Sequence, residues 1–234
     1  MTEVAPNTEE TIHGFGVGSV GSLIAQVSLG ARRKIFKSFM DWGHPSATTR
    51  VLDVGASGSF SDPSVNYFER WYPHPQCITG LTVDASADDF RAAFPHSRVV
   101  QYGGTTMPFA DKEFDIAFSS AVLEHVGDRW CQVNFCLEMC RVARRVFLAF
   151  PDPTFPVEFH TVIPLAHWLP RPARNLVWRT LGRGRFCDVR VLNLVSAHEF
   201  ETEIAVHLPV QHMEVERVST FGMPSNVLVR LETR

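Results

Sequence analysis

Val51-Leu52-Asp53-Val54-Gly55-Ala56-Ser57-Gly58-Ser59-Phe60 is the stretch of sequence that decides the fold. An aliphatic run that carries one acid and then breaks into two glycines predicts a buried strand followed by a tight turn. A strand, a glycine turn and then a helix form the nucleoside- or phosphate-binding corner of a doubly wound sheet. Glycine lets a ligand approach the backbone there, and the start of the helix offers free N–H groups.

The glycine spacing indicates which ligand the turn could hold. Gly55-x-x-Gly58 lacks the middle glycine that makes room for a pyrophosphate in dinucleotide-binding turns. A phosphate-cradling loop needs a lysine after its last glycine, and the stretch contains none. The remaining candidate is a nucleoside without a phosphate and with a positively charged tail, which the carboxylate of Asp53 would suit.

Three motifs carry a family resemblance. The stretch Val51-Leu52-Asp53-Val54-Gly55-Ala56-Ser57-Gly58 resembles the first motif of class I S-adenosylmethionine-dependent methyltransferases. The loop from Gly103 to Asp111, which contains Met107-Pro108-Phe109, resembles their adenine-side loop, and Leu123-Glu124-His125-Val126 resembles their motif after the fourth strand. In this order the motifs cover residues 50–126 and identify the chain as similar to the small-molecule members of that family.

The resemblance implies S-adenosylmethionine as the cofactor and a set of residues around it. Asp84, at the tip of the second predicted strand, would accept both ribose hydroxyls, because a carboxylate offers two acceptor oxygens side by side. Gly103 stands where the family often places an acid, so base recognition would rest on backbone groups, Gly104 or Thr105. The full predicted cofactor set is Asp53, Gly55, Ala56, Ser57, Gly58, Asp84, Ala85, Gly103, Gly104, Thr105, Ser119 and Ser120.

The expected fold class is α/β: a Rossmann-like, seven-stranded, mostly parallel sheet with an antiparallel C-terminal hairpin at residues 213–219 and 226–231. We expect one domain over residues 1–234, with a flexible arm (1–18), an N-terminal helix (19–42) and a substrate-cap insertion (151–190). Ser61-Asp62-Pro63 predicts the start of a helix that Pro73 ends. A later amphipathic helix over residues 128–143 is predicted to place Trp130, Val133, Leu137 and Cys140 on one stripe.

Composition limits the classes of function. The 234 residues are 45% hydrophobic, enough for one sizeable core. The net charge of -3 and pI near 6.4 provide no global basic field for nucleic acid. The polar N-terminus is unlike a signal peptide and no apolar run is long enough to span a bilayer, so we expect a cytoplasmic protein. The odd number of cysteines predicts reduced thiols, with Cys131, Cys136 and Cys140 in the core and no zinc site.

The predicted insertion should give the protein its individual character. Pro151-Asp152-Pro153-Thr154-Phe155-Pro156 is similar to a box of nucleic-acid amino methyltransferases, but that box follows the fourth strand and this segment follows the fifth. The following stretches, Pro156-Val157-Glu158-Phe159-His160-Thr161 and Pro164-Leu165-Ala166-His167-Trp168-Leu169-Pro170, resemble a segment in bacterial methyltransferases of cell-envelope saccharide or natural-product assembly. A solvated basic face, an acidic substrate or an anionic membrane surface could each explain its arginines, which are Arg171, Arg174, Arg179, Arg183, Arg185 and Arg190.

Methyl transfer to a hydroxyl group needs a base near the acceptor, and histidine suits that role near neutral pH. His125 follows the fourth strand, where ligands of open α/β sheets bind, and is the first candidate, although it could equally cap or pack the next helix. His160 and Glu158 are the next candidates. His160 and His167 are separated by a proline, so we predict no metal site between them. The predicted substrate contacts are Phe155, His160, His167 and Trp168.

The sequence therefore predicts an S-adenosylmethionine-dependent methyltransferase. We expect it to act on a hydroxyl group of a small-molecule acceptor, such as a sugar, a glycolipid precursor or a secondary metabolite. Methylation at nitrogen or carbon is one alternative. A partner subunit that binds the cofactor without turnover is another. The sequence favours no particular oligomeric state.

Overall fold

A seven-stranded sheet with helices on both faces organises the protein in the computed structural model, which describes residues 19–58, 64–83 and 87–234. The strand order is β3-β2-β1-β4-β5-β7-β6. Strands β1 to β5 pair in parallel, and β7 runs antiparallel to both β5 and β6. The strands are β1 (Val51–Val54), β2 (Ile78–Thr82), β3 (Arg98–Gln101), β4 (Phe114–Ser120), β5 (Ala143–Pro151), β6 (Val210–Thr220) and β7 (Met223–Thr233). The predicted fold class is confirmed.

The α-helices in the described part of the chain cover the sheet or extend the segment after β5. They are α1 (Ser19–Gly43), α2 (Tyr67–Trp71), α3 (Ala87–Ala93), α4 (Arg129–Val142), α5 (Arg171–Thr180) and α6 (Ala197–Glu199). Helix α4 begins after Asp128, whose carboxylate accepts a hydrogen bond from the backbone N–H of Cys131. None of the described helices is both long enough and apolar enough to cross a bilayer.

Strand β1 lies at the centre of the sheet, and all four of its residues are buried. Val51 packs on one face with side chains of α1 and α2, whereas Leu52 packs on the other face with side chains of α4. This alternation follows from the two-residue period of a strand, and burial of both faces explains the continuous aliphatic run. The chain order reverses on either side of β1, between β2 and β4, which is where open α/β sheets bind their ligands.

The face beneath α1 and α2 is rich in aromatic side chains. Phe118 on β4 stacks on Phe68 of α2 with ring centroids 4.2 Å apart, and Phe39 of α1 meets Phe118 edge-on at 5.3 Å. Phe147 on β5 continues the stack beside Phe118. These contacts fix α1 and α2 against the strands that lead into the ligand-binding crevice.

Some of the local predictions were wrong. Helix α2 begins at Tyr67, four residues after Pro63, because Asn66 adopts a left-handed conformation (φ 52°) that a helix cannot continue through. Trp130 is 63% exposed and Cys131 is also exposed, because both precede the buried residues of α4, which begin at Gln132. The predicted arm at residues 1–18 and the cap at residues 61–63 lie outside the described residues.

Candidate functional site

The turn after β1 has a conformation that requires glycine. Gly55 has φ +109°, and its N–H donates to the carbonyl oxygen of Leu81 on β2 at 2.9 Å. The N–H of Ala56 donates to the same oxygen at 3.2 Å. A Cβ atom on Gly55 would lie 2.3 Å from Cγ2 of Val122, the second residue after the end of β4. The end of β1 therefore lies directly under the chain that leaves β4.

Two further contacts hold this turn in place. The Ser119 hydroxyl donates to the carbonyl oxygen of Val54 at 2.9 Å, which ties the end of β4 to the end of β1. On the other side, the backbone N–H of Ser57 donates to Oδ1 of Asn66 at 3.1 Å, and Nδ2 of Asn66 donates to the Ser57 carbonyl. The glycine turn is thus held by β2, β4 and the residue before α2.

Asp53 on β1 and Glu69 on α2 form a buried pair of acids. Asp53 is 7% exposed and Glu69 is 4% exposed. Burial raises the pKa of Asp53 well above its usual value, and the charge of Glu69 raises it further. Burial likewise raises the pKa of Glu69, so both carboxyl groups of the pair hold their protons to a higher pH than exposed acids do. The pair lies next to the glycine turn, because Asp53 is two residues before Gly55.

Helix α1 reaches the end of β4 through Arg32. Its Nη1 donates to the hydroxyl oxygen of Ser120 at 2.5 Å, and its guanidinium lies over the ring of Tyr67, 5.2 Å from the centroid. Burial raises the pKa of Tyr67 to about 12, which keeps the phenol protonated. Ser120 is therefore oriented by the first helix as well as by its own strand.

Two histidines from distant parts of the chain meet beyond the end of β4. Nε2 of His125 lies 2.9 Å from Nε2 of His160. Nδ1 of His125 donates to the carbonyl oxygen of Val191 at 2.7 Å, and Nδ1 of His160 donates to Oε1 of Glu158. Because each ring uses its Nδ1–H elsewhere, the two Nε2 atoms face each other. The structure thus brings together all three predicted catalytic residues.

Glu158 organises the loop that carries His160. Besides the ring contact, Oε1 accepts from the backbone N–H of His160 at 2.8 Å, and Oε2 accepts from the N–H of Thr161 at 2.6 Å. Burial opposes the charged form, but the His160 charge and these hydrogen bonds prevail and lower the pKa of Glu158 to about 2. The loop closes through Val162, whose positive φ of 56° is rare for a β-branched residue.

The two rings have opposite proton affinities. Burial, and then the charge of His160, lower the pKa of His125 to about 3. Burial also opposes the charged form of His160, but the Glu158 carboxylate outweighs it and the pKa of His160 is raised. A proton shared between the two rings is therefore held more tightly by His160 than by His125. The side chains of His125 and His160 remain 17% and 16% exposed, so a small molecule can reach their edges.

Glu124 is a site residue that the sequence reasoning missed. It is 1% exposed, and its Oε1 lies 3.9 Å from Nε2 of His125. No other residue in the described part of the chain donates a hydrogen bond to either of its carboxylate oxygens. Its position beside His125 in the Leu123-Glu124-His125-Val126 motif was the available signal.

The other predicted substrate residues are engaged within their own segment. Nε2 of His167 lies 3.0 Å and 2.9 Å from the carbonyl oxygens of Pro153 and Phe155, and the indole N–H of Trp168 donates to the Pro153 carbonyl at 2.7 Å. Phe155 is buried and stacks on Phe159. These contacts fasten the chain that leaves β5, and they do not bring His167 to the His125–His160 pair.

The predicted adenine-side residues lie on the loop after β3. Gly103, Gly104 and Thr105 are all exposed there, and Gly104 has a positive φ of 82°. Asp84 and Ala85 lie outside the described residues.

Comparison with protein families gives a match over part of the chain. Residues 52–146 match the model of the methyltransferase domain family. An uncharacterized methyltransferase of Mycolicibacterium vanbaalenii is 33% identical over 110 residues, which cover 44% of this chain and 38% of the relative. One from Mycobacterium sp. strain JLS is 47% identical over 53 residues, or 23% of this chain and 20% of the relative. The matches thus span less than two fifths of these relatives' length.

Solved structures share the fold over nearly the whole chain. Magnesium protoporphyrin IX methyltransferase from Synechocystis PCC 6803, with bound SAH, superposes with a TM-score of 0.57 at 14% identity, covering 96% of this chain and 93% of that one. The 1,6-didemethyltoxoflavin-N1-methyltransferase of Burkholderia thailandensis gives 0.55 at 13% identity, covering 87% and 79%. At these identities the likeness shows the fold alone.

Proposed function

We propose that this chain, whose residues 52–146 match the methyltransferase domain family, is a class I S-adenosylmethionine-dependent methyltransferase that methylates a hydroxyl group of a small-molecule acceptor. The observation that carries the proposal is the meeting of two features at one edge of the sheet. The glycine turn after β1 lies under Val122, and His125, which pairs with His160, follows only three residues later in the chain. A cofactor at the turn and an acceptor at the imidazoles would therefore be neighbours.

The residues around the turn fit a cationic nucleoside cofactor. The Asp53–Glu69 pair supplies buried carboxyl groups that a cationic ligand would help to ionise, and two of the solved neighbours hold the demethylated product, SAH or S-adenosylhomocysteine. The groups that would hold the cofactor are Asp53, Gly55, Ala56, Ser57 and Gly58, with Ser119 and Ser120 behind them. When bound, S-adenosylmethionine supplies a methyl group that leaves its sulfonium sulfur for the acceptor oxygen, while sulfur keeps the bonding pair and the hydroxyl proton is lost.

The acceptor proton is the reason for favouring oxygen over nitrogen. A neutral amine can attack with its lone pair, whereas a hydroxyl is a weak nucleophile until a base takes its proton. Glu158 accepts the Nδ1–H of His160 and aims its Nε2 toward His125, which is how a carboxylate orients an imidazole beside a reacting hydroxyl. In this role the pair acts in its neutral state: it takes the hydroxyl proton between its two Nε2 atoms, and Glu158 positions His160.

The arginine-rich segment after β5 supports a proposal about where the acceptor is met. Arg171 and Arg179 on α5 are exposed, and Leu176 and Leu181 beside them are 65% and 58% exposed. Basic groups interleaved with exposed leucines suit an anionic lipid surface. A cytoplasmic location stays a prediction from the polar N-terminal sequence.

The test of the proposed function has a binding step and a transfer step. Calorimetry with S-adenosylhomocysteine should show one site per chain, and methyl-labelled S-adenosylmethionine should label members of a panel of phenols and methyl glycosides. The His160→Asn variant should bind S-adenosylhomocysteine as the wild type does but transfer at least about 100-fold more slowly. The exposed Phe221→Ala variant is the matched control.

Each outcome has a definite meaning. Folded protein that gives no heat with S-adenosylhomocysteine contradicts the cofactor assignment. Binding without transfer to any panel member favours the non-catalytic partner subunit, and preferential labelling of an amine panel favours nitrogen methylation. Equal rates of methyl transfer in the wild type and in His160→Asn would show that the imidazole pair takes no part in catalysis.

A further inference from the structure

Three potential metal ligands converge at the carboxyl end of β4. The Nε2 atoms of His125 and His160 and a carboxylate oxygen of Glu124 all lie within 4.8 Å of one another. From this convergence we propose that Glu124, His125 and His160 form a site for a divalent cation of the zinc and cobalt class. Two imidazoles and one carboxylate are a set that such ions accept in catalytic sites, where one further position is left open.

The hydrogen bonds behind the ligands favour this assignment. Nδ1 of His125 donates to the Val191 carbonyl, and Nδ1 of His160 donates to Glu158. A histidine that binds a metal almost always donates its other N–H to a carbonyl or a carboxylate, which fixes the tautomer and directs the lone pair of the free nitrogen. Here both rings have that support, and their two Nε2 atoms point at the same place, where a cation would replace the proton that they share.

Glu124 supplies the second, independent observation. Its carboxylate is 1% exposed, and no other described residue donates a hydrogen bond to it. A buried carboxylate without a partner is costly, and a bound cation would compensate for it. The backbone around it is also fixed, because the Glu124 carbonyl accepts from the N–H of Asn193 at 2.7 Å and the Leu123 carbonyl accepts from Nε2 of Gln132 at 3.1 Å.

The distances need only a small adjustment. Two nitrogens bound tetrahedrally to zinc are about 3.3 Å apart. The two Nε2 atoms are 2.9 Å apart, and the Glu124 oxygen is 3.9 Å from that of His125. Binding would open the ring pair by about 0.4 Å and draw the carboxylate, which lies within 4.8 Å of both rings, toward the two nitrogens. The candidate site involves His125 and not His167, which is engaged elsewhere.

The consequence for the chemistry rests on the proposed function. An acceptor hydroxyl would take the fourth position of the cation, beside the two partly exposed rings. A cation there would lower the pKa of that hydroxyl, so its proton would pass to solvent. The rings would then act as ligands instead of taking the proton themselves.

The experiment measures metal binding without reference to activity. The full chain is stripped with a chelator and titrated with Zn²⁺ by calorimetry and with Co²⁺ by visible absorption. We expect one site per chain and Co²⁺ bands of a four-coordinate ion. Glu124→Gln and His160→Ala should each weaken Zn²⁺ binding at least about 100-fold, and Glu158→Gln should weaken it about 10- to 100-fold. His212→Ala, at an exposed histidine beside Glu214, should change nothing.

The results that would overturn the inference are equally specific. Stripped wild-type protein that takes up no Zn²⁺, or that binds it equally well as His160→Ala, shows that the cluster holds only a proton. Circular dichroism identifies any variant that fails to fold. In that case the Zn²⁺ affinity of Glu158→Gln and the Co²⁺ spectrum of the wild type decide whether the cluster binds a cation. Full transfer rates in stripped protein would leave the proposed function standing and remove the metal from it. Tight Zn²⁺ binding without any methyl transfer would leave the metal site standing and contradict the proposed function.

Discussion

A methyl group added to Gly55 would lie 2.3 Å from Cγ2 of Val122, far inside van der Waals contact. We therefore expect Gly55→Ala to be destabilised by at least about 2 kcal/mol, from the clash together with the strain of a non-glycine residue at positive φ. Urea unfolding measures this. Gly30 lies in the middle of α1, where an added Cβ atom would have nothing within 4 Å. Gly30→Ala should instead raise the free energy of unfolding by about 0.5–1 kcal/mol.

The double variant Gly55→Ala/Val122→Ala separates the two causes. Removing Cγ2 should restore part of the lost stability and leave the part due to the positive φ. No recovery at all would mean that Val122 does not limit the space at the turn.

The Asp53–Glu69 pair predicts a pH-dependent stability. The pKa of Asp53 is raised in the folded state above its unfolded value of about 3.8, so folded protein holds a proton that unfolded protein has released. Stability should therefore fall as pH rises from about 4 toward the folded pKa. The Asp53→Asn variant lacks this titrating group. Its free energy of unfolding should therefore increase relative to that of the wild type as pH rises across that range.

Urea unfolding between pH 4 and pH 8 without cofactor measures the difference. Asp41→Asn, on the exposed side of α1, is the control and should track the wild type within about 0.5 kcal/mol at every pH. A difference between Asp53→Asn and the wild type that is independent of pH would contradict a raised pKa.

Phe118 should be among the most sensitive core positions. It is 1% exposed and stacks on both Phe68 and Phe147. Phe118→Ala should lower the free energy of unfolding by about 3–5 kcal/mol, because the stacked rings cannot close the cavity. Phe221→Ala, at a side chain that is 77% exposed, should change it by less than about 0.5 kcal/mol. Comparable losses in both variants would mean that the aromatic stack is not a stabilising core.

The exposed face of α5 should bind anionic vesicles. Sedimentation with phosphatidylserine-containing vesicles should capture the wild type at low salt and release it as salt rises, whereas phosphatidylcholine vesicles should not capture it. Leu176→Glu/Arg179→Glu should abolish capture. Val206→Glu, at an exposed residue outside this segment, should not. Equal capture of both variants would leave α5 as a solvated basic face.

The sequence predicted the sheet well because its signals are local. The aliphatic run of β1 and the alternating pattern of the C-terminal hairpin each depend on residues within a few positions, and the strand order follows from the family resemblance. The start of α2 was wrong for the same reason. A serine, aspartate and proline in sequence look like a helix start, but the left-handed Asn66 interrupts the helix before Tyr67.

The meeting of His125 with His160 could not be predicted. The two rings are brought together by a loop that turns through the positive φ angles of Val162 and Leu165, which no sequence pattern signals. Glu124 was missed because its burial without a partner is visible only once the surrounding chain is in place. Local patterns therefore locate the strand ends, and the loops between them decide which side chains meet.

The position of β7 has a consequence for how the chain matures. It is the last of the seven strands to be synthesised, yet it is an interior strand between β5 and β6. A nascent chain that has not yet released residues 223–233 leaves the long edge of β5 unpaired, and unpaired edges attract other chains. Premature stops upstream of β7 should therefore yield aggregates, and a chaperone that shields β5 during translation should improve recovery.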